Sequence, residues 1–170
     1  MAGFYLSVRV LHVVFGAFWA GSVFFAALYF NPSVMEAGPE GGKVMGILQR
    51  RGWMSAVLVI ALVTVLSGFY LLWVMSGHFS PGFMGSRSGI LLSVGMLAGV
   101  IAVCIGLFGT LPANKRMGRI AAAMARKGGP PAPEDLADLT RLRDRVVLLI
   151  KVIGVLLLVA VVTMALGPHV

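Results

Sequence analysis

Four long apolar runs dominate this chain, at about residues 4–30, 53–75, 89–111 and 146–166. A helix needs about 20 mainly apolar residues to cross the hydrocarbon layer of a bilayer. Each run meets that length, and each ends on residues that break or cap helices: Asn31-Pro32, Ser76-Gly77, Pro112 and Gly167-Pro168. Barrel strands would be shorter and would alternate in polarity, which these runs do not. Composition agrees. Charged residues make up 12% of the chain and hydrophobic residues 59%, whereas a soluble domain is about one quarter charged. The expected fold is all-α, a bundle of four transmembrane helices forming a single membrane domain over residues 1–170.

The charges lie between the runs and predict an orientation. Lys43, Arg50 and Arg51 follow the first run. Lys115, Arg116, Arg119, Arg126, Lys127, Arg141, Arg143 and Arg145 follow the third. Those 11 cations share one side, against Arg87 in the loop after the second run and Arg9 just inside the first. The positive-inside rule puts both basic segments in the cytoplasm, with the N-terminus and C-terminus outside. A bacterial inner membrane is the expected location. The first run is too long for the apolar region of a signal peptide, and Arg9 and His12 interrupt it, so no cleavable leader is expected.

The segment 113–145 has its own pattern. Residues 113–127 favour helix and extend the third run. Gly128-Gly129-Pro130-Pro131 is a turn signal, and Pro133 with Glu134 and Asp135 starts another helix. Leu136, Leu139 and Leu142 form a stripe leading into the last run. A cytoplasmic helical hairpin between spans three and four is the expectation. Lys115, Arg116, Arg119, Arg126 and Lys127 on its basic arm are candidates for anionic lipid headgroups, a partner class suited to the net charge of +8. No sequence-specific nucleic-acid motif is present. Residues 41–49 suit either a short helix or a direct run into span two.

Few residues carry chemistry at membrane depth. His12 lies in span one, about two turns from its outer end, with Arg9, Phe15 and Trp19 on nearly the same face. Two readings stay open: an axial ligand of a b-type haem, or a polar contact to a neighbouring helix. A haem needs a second ligand. Only His78 and His169 remain as histidines, so His78 or one of the ten methionines would have to supply it. Lys151 sits little more than a turn into span four, where it can extend its ammonium to the headgroups or serve as a buried ligand. Cys104 lies within an apolar run and is read as a small hydrophobe.

Small residues mark candidate helix contacts: Gly95 and Gly99 in span three, Ala17 and Gly21 in span one. Their four-residue spacing lets two backbones approach, within the monomer or between chains. The sequence contains no Walker loop, HExxH, CxxC, Rossmann glycine pattern or GxSxG, and no catalytic or metal-ligating set. Its few carboxylates lie in loops, which disfavours a carboxylate-driven proton pump or metal transporter, and the lack of central polar residues disfavours a small transporter or channel. The leading reading is non-enzymatic, an accessory or structural subunit of a membrane complex or a homo-oligomer acting through helix contacts. The alternative is a haem-binding redox or haem-handling protein using His12.

The run Leu11-His12-Val13-Val14-Phe15-Gly16-Ala17-Phe18-Trp19-Ala20-Gly21 resembles the first span of a broad membrane superfamily. It includes copper-resistance CopD-type domains, HemJ-type protoporphyrinogen oxidases and other four-helix families. Members often begin with Leu-His, an apolar stretch and Trp-x-Gly. The resemblance implies four spans. In the HemJ-type branch it also implies a haem associated with a first-span His, to which His12 corresponds by position, and with a Lys of a later span, which Lys151 matches only loosely.

Overall fold

The computed structural model describes residues 2–127 and 132–169, and every described element is helical. Helix α1 (Ala2–Phe25) continues through a wide π turn (Ala26–Phe30) into α2 (Asn31–Glu36). Helix α3 (Gly38–Arg50) precedes α4 (Trp53–Met75), and a single turn, α5 (Pro81–Met84), precedes α6 (Arg87–Ile105). A second π turn (Gly106–Thr110) leads into α7 (Leu111–Lys127). Helix α8 (Pro133–Leu166) closes the chain with a 3-10 turn (Gly167–His169). Four of these rods, Gly3–Glu36, Trp53–Met75, Arg87–Arg126 and Pro133–His169, are long and apolar enough to cross a membrane. The chain is read as an integral membrane protein on that basis.

The first and third rods do not stop where the sequence suggests. A proline inside an α-helix lacks an N–H and pushes its ring against the carbonyl four residues back. Here the backbone widens just before each proline. Asn31 N–H donates to the Ala26 carbonyl and Leu111 N–H to the Gly106 carbonyl, each five residues back. The wider turn moves the offending carbonyl aside, so Pro32 and Pro112 enter continuing helix. A break at that depth would leave backbone groups without partners, which lipid makes costly. The rod ends beyond Pro32, at Ala37 and Gly38, where Gly38 takes a φ of +55°.

Helix α1 packs chiefly on α4, and α6 chiefly on α8, while α4 with α6 and α1 with α8 close the ring. The core is Trp19, Val23, Ala61, Ala102, Val103, Ile153 and Leu157. Large apolar side chains such as Leu66, Phe108, Val155 and Leu28 point outward. That is the arrangement expected of a bundle dissolved in lipid, where small residues mediate the helix contacts. Gly95 sits at a close one between α6 and α8: a Cβ there would stand 2.6 Å from Thr163 Oγ1 and 3.0 Å from Met164 Cγ of α8. Gly99 is looser, with Val65 Cγ2 at 3.9 Å.

A 40-residue helix is about 60 Å long, about twice the hydrocarbon thickness, so the third rod runs well past one face of the layer. Its α7 portion packs along the start of α8. Ala113 is buried, and Met117, Ile120 and Met124 are half-buried along one side. Arg116 donates to Asp138 Oδ2 at 2.6 Å across the two helices. The turn signal at residues 128–131 lies outside the described residues. Between the first two rods, α3 is a separate helix: Gly52, at a φ of +78°, breaks the path before α4.

Candidate functional site

The polar chemistry within the bundle gathers at the contact of α1 with α4. His12 Nδ1 lies 2.9 Å from the Thr64 carbonyl oxygen and 3.2 Å from Ser67 Oγ. A carbonyl only accepts, so Nδ1 carries the proton and donates. The Ser67 hydroxyl in turn donates to the Val63 carbonyl at 2.6 Å, and Thr64 Oγ1 donates to the Ile60 carbonyl at 2.8 Å. Gly68 makes room for the ring. A Cβ at that position would stand 2.7 Å from His12 Cε1, 3.2 Å from Nδ1 and 3.6 Å from Nε2. The edge of the imidazole that bears both nitrogens is therefore turned onto the backbone of α4.

With Nδ1 engaged by the Thr64 carbonyl, Nε2 is the ring nitrogen left for any further partner. The other candidates lie elsewhere. His78 sits in the turn after α4 with a φ of +63°, its ring edge-on to Trp73 at 4.4 Å between centroids. Lys151 is exposed on α8, as expected of a side chain extending to the headgroups. Arg9 and Cys104 are also exposed. Among the described residues, no three His, Cys, Asp or Glu side chains come together as a metal site.

A cavity of about 100 Å³ lies between the helices and is lined by residues of all four rods. Trp19, Ala61, Ala102 and Val103 form its buried end, and Trp53, Met54 and Leu111 its half-buried end. None of His12, His78 and Lys151 lines it. Sequence reasoning missed this space. The signal for it was weak: Gly106 and Thr110 belong to the second π turn, whose widened backbone only Pro112 announces.

The small-residue candidates divide. Gly95 and Gly99 are buried between helices, whereas Ala17 and Gly21 are exposed, with open space around Gly21. They belong to a longer exposed row on α1: Gly3, Ser7, Val10, Val14, Ala17 and Gly21. The steps of four and three residues keep that row on one side of the helix. On the basic end, Lys115, Arg116, Arg119 and Arg126 are all exposed, Arg116 being the one held by Asp138. The Lys127 side chain lies outside the described residues. Comparison with family models, with curated proteins and with solved structures gives no match to this chain.

Proposed function

We propose that this protein is a non-enzymatic membrane subunit that assembles, with other membrane proteins or with itself, through the exposed small-residue face of α1. The observation that carries the reading is the row from Gly3 to Gly21. Its members are small or β-branched, follow the spacing of a helix-packing seam, and are exposed, with no partner helix among the described residues. His12, on the other side of the same helix, supports it as a rivet that fixes α1 to α4 and so presents the outer face rigidly. The basic loops favour an orientation with α3, α7 and the start of α8 in the cytoplasm and both termini outside. On this reading α7 and the start of α8 form a helical hairpin at the anionic lipid surface, with Lys115, Arg119 and Arg126 toward the headgroups.

Cross-linking tests it. Ala17→Cys or Gly21→Cys, in a Cys104→Ala background, is expected to give a cross-linked adduct in native membranes, either a dimer or a complex with another membrane protein. Gly21→Leu should abolish association. A purely monomeric protein with no adduct at either position would overturn the proposal. A Soret band in the purified protein that disappears in His12→Ala would instead favour the haem reading.

A further inference from the structure

We propose that the cavity between the four rods holds the acyl chain of an anionic phospholipid from the leaflet at the basic end. Its walls are apolar: Ala61, Val103, Ile153 and Trp19 leave nothing there for a charged or strongly hydrated ligand. It runs from half-buried residues near Trp53 and Leu111 to Trp19, which is 5% exposed, and Ala102, which is 1% exposed. An amphiphile entering from the basic end therefore places its tail inward and its head at the mouth.

Two features select the occupant. The first is charge at the mouth. Arg50 and Arg51 immediately precede the stretch of α4 that lines the cavity, and Lys115 lies one turn beyond Leu111 on the opposite wall. All three are exposed and make no ion pair among the described residues. Cations at a membrane surface attract acidic headgroups.

The second feature is a hydroxyl donor without an acceptor. Thr64, Ser67, Ser93, Thr110 and Thr163 each return their hydroxyl to a backbone carbonyl of their own helix. Among the described residues the Ser22 hydroxyl, on a half-buried stretch of the cavity wall one turn from Trp19, makes no hydrogen bond. The ester carbonyl of a glycerolipid supplies an acceptor between a charged head and an apolar tail. A few convergent polar groups in an otherwise apolar space are the mark of a binding site.

Fluorescence quenching by brominated acyl chains reads this directly, because bromine quenches an indole only at contact. The full chain carrying Trp53→Phe and Trp73→Phe keeps Trp19 as its only tryptophan. It is reconstituted in phosphatidylcholine vesicles containing equal fractions of either brominated phosphatidylglycerol or brominated phosphatidylcholine. Buried Trp19 should be quenched more by the phosphatidylglycerol, and unbrominated phosphatidylglycerol should compete the excess away. Gly106→Leu fills the cavity from a lining position where an added Cβ meets nothing within 4 Å, and it should remove the excess. Arg50→Gln with Arg51→Gln should weaken the preference about fivefold for each arginine removed.

Equal quenching by both lipids would overturn the proposal, as would an excess that survives Gly106→Leu. A stoichiometric quinone in the organic extract that phosphatidylglycerol does not displace would also overturn it, assigning the cavity to that ligand. If Gly106→Leu fails to fold, the arginine variant decides: an unchanged lipid preference there rejects the site.

Discussion

His12 and Gly68 are a matched pair: a methyl group at Gly68 would stand 2.7 Å from His12 Cε1, while Nδ1 of the same ring donates to the Thr64 carbonyl at 2.9 Å. The glycine supplies the space and the carbonyl supplies the acceptor. Gly68→Ala should displace the imidazole and break that bond. His12→Ala should lose the bond alone, at about 0.5–2 kcal/mol for an interhelical hydrogen bond. The double variant should cost less than the sum, because both changes remove the same contact. Thermal unfolding in detergent of the three variants measures this, and strict additivity would show that the two residues act independently.

Gly95 and Gly99 of span three predict opposite tolerances. Gly95→Ala drives a methyl against Thr163 Oγ1 and Met164 Cγ, with the Ala160 carbonyl at 3.3 Å behind them. Relieving that overlap separates α6 from α8, at about 1–3 kcal/mol. Gly99→Ala meets only Val65 Cγ2 at 3.9 Å, an ordinary contact, and replaces the poorer helix former. Melting curves should place Gly95→Ala well below the parent and Gly99→Ala at or above it. Equal behaviour would mean that the α6 to α8 contact is looser than described.

The four rods were legible because lipid leaves helices few alternatives: long apolar runs with almost no charge had to become spanning helices. The ends were harder to read. Asn31-Pro32 and Pro112 carry the local chemistry of a helix stop, and in water each would have been one. Five-residue turns at Ala26–Phe30 and Gly106–Thr110 remove the steric conflict instead. Nothing in the residues before a proline announces such a turn. The four-residue spacing of Ala17 and Gly21 matched that of Gly95 and Gly99, yet one pair faces out and the other in. Spacing gives the face a pair shares, and only the packed helices decide which face is covered.

Asn31 directly follows the first π turn and is 8% exposed, and its side-chain Nδ2 has no hydrogen-bond partner among the described residues. A buried donor left unsatisfied costs about 1–3 kcal/mol. Leucine has a similar shape and no donor. Asn31→Leu is therefore expected to raise the thermal midpoint in detergent, with unchanged helix content by circular dichroism. A lower midpoint would show that the amide holds a bound water or a lipid oxygen in the membrane.

Orientation gives the last prediction, and it rests on the imbalance of charge along the chain. Eleven cations lie in the segments after the first and third runs, against Arg87 and Arg9 at the other end. Lys and Arg are held on the cytoplasmic side during insertion, and acidic residues weigh little in that choice. The few carboxylates beside these cations, such as Asp138 paired with Arg116, therefore do not cancel the bias. Gly82 on the single-turn helix α5 and Ala123 on α7 are both exposed. In a Cys104→Ala background, Gly82→Cys should react with a membrane-impermeant maleimide in intact cells, and Ala123→Cys only after the membrane is opened. Reaction of Ala123→Cys alone in intact cells would invert the topology. Reaction of both would mean that one of the four rods does not span.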